Sequence, residues 1–566
     1  NSSLYANTTG IFNTAVGNAS SQCNTTGRYN TTLGSQSLMQ NTTGGCNVVI
    51  GKCAARVYTK DGTIAIGYEA MCANDVGLYN TAIGYQAMKN TNSAAGSYNT
   101  AHGYQALYTN TTGTQNTALG YQALYTNTTG IFNTAVGSFS LCKNTTGIQN
   151  VAIGTCALYT NTIGIENAAL GYRTLEYNTI GSRNTAVGAY AMYCNTTGAH
   201  NAVLGYSALC KNTTGIQNTA IGTCALNANT IGSNNTALGF EALKSNTTGN
   251  YNVAMGTYAL YTNTTGKCNV AIGFDSLKAN TIGIDNVAIG HMALCTNTTG
   301  INNTALGALA LTANTTGVRN TAIGHCALRS NTIGVCNVAV GYAALNLNTA
   351  GTRNTAIGAA ALIDNTTGEN NTAVGYHALN QNTTGKCNTA VGFDSLKANT
   401  TGVDNTAIGK SALQSNTTGQ FNTAIGNNSL YSNTTGNHNS TIGYYSLNAN
   451  TTGQYNVAFG SSALRLNTIG NNNIGIGTSS LQYNTTGGNN TAVGYYSLNA
   501  NTTGQYNVAF GSSALRLNTI GNNNIGIGTS SLQYNTTGGN NTAVGYYSLN
   551  ANTTGQYNVA FGSSAL

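Results

Sequence analysis

Apolar and polar residues recur along this chain with a fixed period of 17 residues, and the consensus is N-T-A-(V/I/L)-G-x-x-(A/S)-L-x-x-N-T-(T/I)-G-x-x. Positions are numbered from the leading Asn, which falls at Asn99, Asn116, Asn133 and every seventeenth residue onward to Asn558. This period is too short for helix-pair repeats of about 33 residues or more, and for leucine-rich repeats of about 20–29. It fits one turn of a parallel β-solenoid.

The pattern within each turn predicts its elements. One short strand is expected around N-T-A-V-G, a second around x-A-L, and a longer corner at N-T-T-G. The glycines at positions five and fifteen, such as Gly120 and Gly130, are expected to form corners with positive φ. Frequent Gly, Asn and Thr disfavour helix, and the absence of Pro permits continuous strand pairing. We therefore predict an all-β fold, a parallel β-solenoid or β-roll.

Two apolar positions recur in each turn, and both are predicted to point inward. They are position four, as at Val136, and position nine, as at Leu141. Position three is nearly always Ala and position eight is Ala or Ser, which indicates close backbone approach, while the Thr at position two is expected to be half-buried. So thin a core predicts that stability comes from stacking many turns or from association of chains.

The repeats predict one continuous array over residues 1–566, with about 33 turns and an irregular stretch at 53–95. The interval from Asn47 to Thr63 is 16 residues, and that from Asn80 to Asn99 is 19. Residues 456–506 recur unchanged as 507–557. Since the chain starts and stops within a repeat, we expect it to be a fragment of a longer chain.

Composition narrows the possible partners. Only 6% of the residues are charged, against about 25% in ordinary globular domains, while 41% are hydrophobic at regular spacing, which argues against disorder. The net charge of +8 is thinly spread, so no nucleic-acid partner is predicted. No apolar run is long enough to span a membrane.

The asparagines at positions one and twelve have two interpretations. They either form side-chain ladders from turn to turn, or, at position twelve, accept N-linked glycans in Asn-Thr-Thr. Asn161 and Asn178 lie in Asn-Thr-Ile, which is no acceptor, and their retention favours a structural role. The candidate glycosylation sites are Asn110, Asn127, Asn144, Asn195, Asn212, Asn246, Asn263, Asn297 and Asn314.

The fourteen cysteines include no C-x-x-C pair, so neither a zinc site nor a redox motif is predicted. Two pairs have the same spacing of 14 residues, Cys142 with Cys156 and Cys210 with Cys224. They occupy position ten of one turn and position seven of the next. Cross-turn disulfides in an oxidising compartment are one interpretation, and free or interchain thiols are the other, because Cα atoms more than about 7 Å apart cannot be bridged.

The titratable residues predict no catalytic, cofactor or metal site, and hence no enzyme. The six histidines occupy four different repeat positions and the twelve acids are scattered, so no nucleophile, base and orienting group can be assembled. Only residues 53–95 are irregular enough to hold such a site. Asp275 with Lys278, and Asp394 with Lys397, are predicted to form local surface ion pairs.

Two rows of side chains are expected on the surface. The 34 tyrosines concentrate at positions six and ten, as at Tyr104 and Tyr108. They predict either a plain surface ladder or a platform that stacks on sugars or on a neighbouring chain. The position-thirteen row of Thr111, Thr128, Thr145 and Thr162 is the basis of an alternative function, an ice- or carbohydrate-binding module.

The unit N-T-A-V-G-x-x-A-L at residues 133–141 resembles the head repeat of YadA-like trimeric autotransporter adhesins. The unit at 116–124 is also similar to the N-T-A-x-G-Y-Q-A-L arrays of bacterial and phage tail-fibre-like proteins. The first resemblance implies a left-handed β-roll, a homotrimer and a surface that binds host ligands. The head repeat is shorter than this one, and the N-T-T-G corner is additional.

Together these features predict a structural or adhesive extracellular fibre or filament shaft on a cell or virion surface. The expected partners are further copies of the chain, as a homotrimer or an end-to-end filament, and surface glycans or a host receptor. A glycan-coated self-assembling filament without adhesin activity is a further alternative.

Overall fold

The computed structural model describes residues 2–74, 77–90 and 96–566, and these residues form strands and turns without any helix. The chain divides into two compact units, residues 1–285 and 286–566. Part of the stretch predicted to be irregular, at 75–76 and 91–95, lies outside the described residues.

Each turn contributes one strand of three residues, which are positions two to four of the repeat. The first unit contains sixteen strands: β1 (Thr14–Val16), β2 (Thr31–Leu33), β3 (Val48–Ile50), β4 (Ile64–Ile66), β5 (Thr81–Ile83), β6 (Thr100–His102), β7 (Thr117–Leu119), β8 (Thr134–Val136), β9 (Val151–Ile153), β10 (Ala168–Leu170), β11 (Thr185–Val187), β12 (Ala202–Leu204), β13 (Thr219–Ile221), β14 (Thr236–Leu238), β15 (Val253–Met255) and β16 (Val270–Ile272). The second contains seventeen: β17 (Val287–Ile289), β18 (Thr304–Leu306), β19 (Thr321–Ile323), β20 (Val338–Val340), β21 (Thr355–Ile357), β22 (Thr372–Val374), β23 (Thr389–Val391), β24 (Thr406–Ile408), β25 (Thr423–Ile425), β26 (Ser440–Ile442), β27 (Val457–Phe459), β28 (Ile474–Ile476), β29 (Thr491–Val493), β30 (Val508–Phe510), β31 (Ile525–Ile527), β32 (Thr542–Val544) and β33 (Val559–Phe561).

Within each unit every strand pairs in parallel with the next strand in sequence, and equivalent repeat positions meet. Thr134 of β8 lies opposite Val151 of β9, for example. The predicted all-β parallel solenoid with 17-residue turns is therefore confirmed. The register survives the two irregular intervals, because Val48 lies opposite Ile64 and Thr81 opposite Thr100. Differences in turn length are absorbed outside the strands.

The second strand predicted around x-A-L is wrong, because this segment is a turn with left-handed backbone. Position seven has a φ of 50° at Gln122, and position nine has a φ of 51° at Leu124. Two left-handed residues so close together cannot lie in an extended strand. The glycine at position five has positive φ as predicted, 140° at Gly120.

The glycine at position fifteen is required for space, and not for the positive φ that we predicted. Gly113 is not among the residues with positive φ. A Cβ atom added to Gly113 would lie 2.3 Å from Asn110 Oδ1 and 2.4 Å from the Gly130 carbonyl oxygen. This corner packs against its own turn and the next, so any larger residue would clash.

The core contains one large apolar residue per turn. Ala118 at position three and Leu124 at position nine are both fully buried, whereas Leu119 at position four is 43% exposed. The prediction that position four points inward is therefore wrong. Successive strand residues face opposite sides of a sheet, so an inward Ala at position three turns positions two and four outward.

Two ladders of buried asparagine run through each unit beside the leucines. At position one, Asn116 Nδ2 donates to Asn99 Oδ1 at 3.1 Å and to the Gly130 carbonyl at 2.9 Å. At position twelve, Asn127 Nδ2 donates to Asn110 Oδ1 at 2.9 Å and to the same Gly130 carbonyl at 3.0 Å. The buried amides of Asn116 and Asn127 are tolerated because each has partners in its own turn and in the neighbouring one.

Candidate interaction surfaces

The outer face of the sheet carries an exposed row of apolar side chains at position four, here called the outer aliphatic row. The exposed fraction is 46% at Leu170 and 50% at Leu204 in the first unit, and 44% at Leu306 and 45% at Ile442 in the second. No strand in the described part of the chain contains Lys, Arg, Asp or Glu. Sequence reasoning missed this surface, although the strict alternation around the buried alanine was a signal for it.

The face of one unit is large enough for a protein interface. The seventeen strands of the second unit, at about 4.8 Å spacing, extend for about 77 Å, and three residues per strand give a width of about 10 Å. The resulting projected area of the face, with its position-two threonines included, is about 770 Å², close to the ~800 Å² that each partner buries in an interface of standard size.

A second surface is a ladder of stacked tyrosine rings at position six. Tyr85, Tyr104 and Tyr121 stack at centroid distances of 5.1 Å with interplanar angles of 4° and 6°. Beside them at position seven, Gln122 Nε2 donates to Gln105 Oε1 at 2.9 Å. The rings cover one another's faces, so within this ladder they present edges and hydroxyl groups and no open face on which a sugar would stack.

The threonine row at position thirteen uses its hydroxyl hydrogens within the solenoid. Thr128 Oγ1 donates to the Thr145 carbonyl at 3.0 Å, and Thr145 Oγ1 to the Thr162 carbonyl at 3.0 Å. These residues are half-buried, whereas position fourteen is exposed, as at Ile163 with 52%. The row therefore offers oxygen lone pairs to a ligand and no free hydroxyl donor.

All nine candidate glycosylation asparagines belong to the position-twelve ladder and are fully buried. Asn144 Nδ2 donates to Asn127 Oδ1 at 2.8 Å and to the Gly147 carbonyl at 3.0 Å, so both of its amide hydrogens are used. A glycan would replace one of them. Asn161 and Asn178, which lack the acceptor sequence, make the same two bonds. The ladder is therefore a structural feature independent of the acceptor sequence.

The four cysteines considered for disulfides are free thiols in the structure. Cys142 is buried, while Cys156, Cys210 and Cys224 are half-buried. Burial raises the pKa of the Cys142 thiol, and that of the Cys210 thiol, to about 11. Both groups are protonated near neutral pH and are weak nucleophiles in this state.

The predicted ion pairs are confirmed. Lys278 Nζ lies 3.1 Å from Asp275 Oδ2, and Lys397 Nζ lies 3.4 Å from Asp394 Oδ1. His377 Nδ1 is a further neighbour of Asp394, at 3.4 Å. Within the described ranges no group of three His, Cys, Asp or Glu residues is arranged to hold a metal ion.

The irregular turns contain an open cleft and a substitution in the ladder. Arg28, Tyr29, Cys46 and Asp61 contribute to the lining of the cleft, and no histidine does. Nearby, Tyr58 replaces the position-twelve asparagine, and its buried hydroxyl donates to the Gly77 carbonyl at 2.9 Å. Burial raises the pKa of this phenol well above its usual range. Tyr58 thus continues the polar interior where the asparagine is missing.

Comparison with known proteins finds no family model and no curated protein that matches this chain. A helix able to cross a bilayer is absent from the part of the chain that the structure describes.

Proposed function

We propose that this chain is the shaft of an extracellular structural fibre, and that it functions by associating with further copies of itself through the outer aliphatic row. The observation that carries the proposal is the outer aliphatic row, which lies on a face without charged strand residues and is exposed on each unit. Interface cores are depleted of charged residues, and a flat apolar face along stacked turns has this character.

A second copy of the chain is the occupant that fits best. The face repeats every 17 residues, and a partner with the same repeat matches it turn for turn. The resemblance to YadA-like head repeats supports a homotrimer with left-handed turns, and the resemblance to tail-fibre-like arrays supports a fibre on a cell or virion surface. Adhesive contact with a host receptor would be made by surfaces away from the outer aliphatic row.

Sedimentation velocity over a concentration series tests this function with two matched triple variants. Each variant introduces three lysines into the same three turns of the second unit. In each turn the control site lies ten residues after the test site. The test variant is Ile323→Lys, Phe459→Lys and Phe510→Lys at position four, and the control is Ile333→Lys, Ile469→Lys and Ile520→Lys at position fourteen, all exposed residues.

We expect the unaltered chain and the position-fourteen control to associate with rising concentration, and the position-four variant to remain monomeric. Buried lysines without partners cost far more than exposed ones, which is why only the first set should prevent association. An unaltered chain that stays monomeric, or two variants that behave alike, would overturn the proposal.

A further inference from the structure

A second set of N-glycosylation sequences lies at position seventeen, where Asn precedes the Asn-Thr of the next turn. The resulting Asn-Asn-Thr satisfies the Asn-x-Thr acceptor rule. Four of these acceptors are exposed and a fifth, Asn234, is half-buried. The exposed acceptors are Asn302, Asn370, Asn489 and Asn540.

The backbone at this position presents the side chain to solvent. Asn370 has a φ of 56°, and its N–H donates to the Thr352 carbonyl at 3.0 Å. Asn489 has a φ of 60°, and its N–H donates to the Asn471 carbonyl at 2.9 Å. The backbone is therefore fixed by the preceding turn. No protein group within the described ranges binds the side-chain amide of either residue.

Left-handed backbone alone does not explain asparagine here. Asn tolerates positive φ better than most residues, yet Arg183, Gln217, Tyr251 and Cys268 occupy the same position with φ between 55° and 58°. The position accepts almost any side chain, so its geometry does not demand the Asn-Asn-Thr sequence.

We propose that N-linked glycans are attached at position seventeen, on Asn302, Asn370, Asn489 and Asn540, and not at the Asn-Thr-Thr corners. In the transfer, the asparagine Nδ2 forms a bond to the anomeric carbon of a phosphate-activated sugar. The bond from that carbon to the phosphate oxygen breaks, the phosphate leaves, and Nδ2 loses one proton. The exposed amides can lose this hydrogen without breaking a bond, whereas the corner amides use both hydrogens inside the ladder. This inference does not depend on the proposed self-association.

Glycopeptide mass spectrometry of the chain isolated from its natural source is the first test. We expect sugar on the peptides that contain Asn302 and Asn370, and bare asparagine at the corners Asn297 and Asn314 in the same digest. Asn489 and Asn540 lie in identical segments, so their peptides are read together. Sugar at the corners, or bare Asn302 and Asn370, would overturn the proposal.

A second test isolates accessibility, with unglycosylated recombinant chain, a soluble N-glycosyltransferase and a nucleotide-activated hexose. The folded chain should gain hexose at Asn370 but not at the corner Asn365, which is buried. Asn370→Gln should abolish the modification. Thr372→Val should also abolish it while preserving the fold, because Val occupies this position in other turns, as at Val287. Transfer to Asn370 only after unfolding, or transfer that survives Thr372→Val, would refute the assignment.

Discussion

Removing one ladder asparagine should open the solenoid locally, and Asn178→Ala is the cleanest such change. Asn178 is fully buried in a turn without a glycan acceptor, so the substitution tests structure alone. Its Nδ2 donates to Asn161 Oδ1 at 2.8 Å and to the Gly181 carbonyl at 2.9 Å. Its Oδ1 accepts from Asn195 Nδ2 at 2.7 Å.

The cost follows from the groups that the substitution leaves without partners. The Gly181 carbonyl keeps a bond from Asn167 Nδ2 at 2.9 Å, so it remains satisfied. Asn161 Oδ1 loses its donor, and one hydrogen of Asn195 Nδ2 loses its acceptor. Each buried orphan costs about 1–3 kcal/mol, so the local free energy of opening should fall by about 2–6 kcal/mol. The control Ile180→Val, at an exposed position of the same turn, creates no glycan acceptor and should change it by less than about 0.5 kcal/mol.

Hydrogen exchange followed by mass spectrometry measures this effect where it occurs, because each turn of a solenoid contacts only its neighbours. Exchange of peptides within residues 161–198 should accelerate by a factor of about 30 to 20,000 in Asn178→Ala, at about 1.4 kcal/mol per tenfold change. If these peptides exchange in Asn178→Ala within about twofold of their rate in Ile180→Val, the ladder does not stabilise the fold and the reasoning fails.

Three further predictions concern single positions. Leu209→Ala at position nine should lower the free energy of unfolding, measured by urea denaturation, by about 2–5 kcal/mol, because Leu209 is fully buried. The control Leu204→Ala lies five residues earlier at a position that is 50% exposed. In dilute protein it should change this free energy by about 0.5 kcal/mol or less. Gly113→Ala should disrupt its corner, because the new methyl group would lie 2.4 Å or less from two oxygen atoms. Hydrogen exchange of the peptides around residue 113 measures this effect. Protection equal to that of the unaltered chain would contradict the steric argument. Burial raises the pKa of Cys142 to about 11, so this thiol should react with iodoacetamide far more slowly at pH 8 than the exposed Cys336. Its reaction rate should rise steeply towards pH 11 as the thiolate forms. Equal rates for the two cysteines at pH 8 would refute this prediction.

The turn length, the parallel stacking and the ladder asparagines could be predicted because each repeats in the sequence at one period. The repeated Asn at position twelve, retained at Asn161 and Asn178 where the acceptor is lost, already indicated a structural role. Hydrophobicity alone could not decide which of two apolar positions faces inward. Position four and position nine are equally apolar, and the choice depends on the left-handed backbone at positions seven and nine, which L-residues such as Leu124 rarely adopt.

The surfaces were less predictable than the fold. Whether a strand residue is exposed depends on the side of the strand that faces the core. Once position three is known to be buried, alternation along the strand assigns positions two and four to the outside. The same limit applies to the glycosylation sequences. Asn110 and Asn370 both satisfy the acceptor rule, and only the structure shows that the first is buried and the second exposed.

The residues found at the two outward strand positions indicate that folding of the solenoid alone does not determine which residue occupies position four. Position two lies on the same face and is Thr in 18 of the 33 strands that the described residues form, so this surface tolerates a polar β-branched residue. Position four is apolar in 32 of the 33, with His102 as the exception. Intrinsic strand preference does not distinguish the two positions, since Thr and the branched aliphatic residues are both good strand formers. Solubility would favour Thr at both. The partner surface that we propose, a copy of the same repeat, would cover position four and explain why it stays apolar.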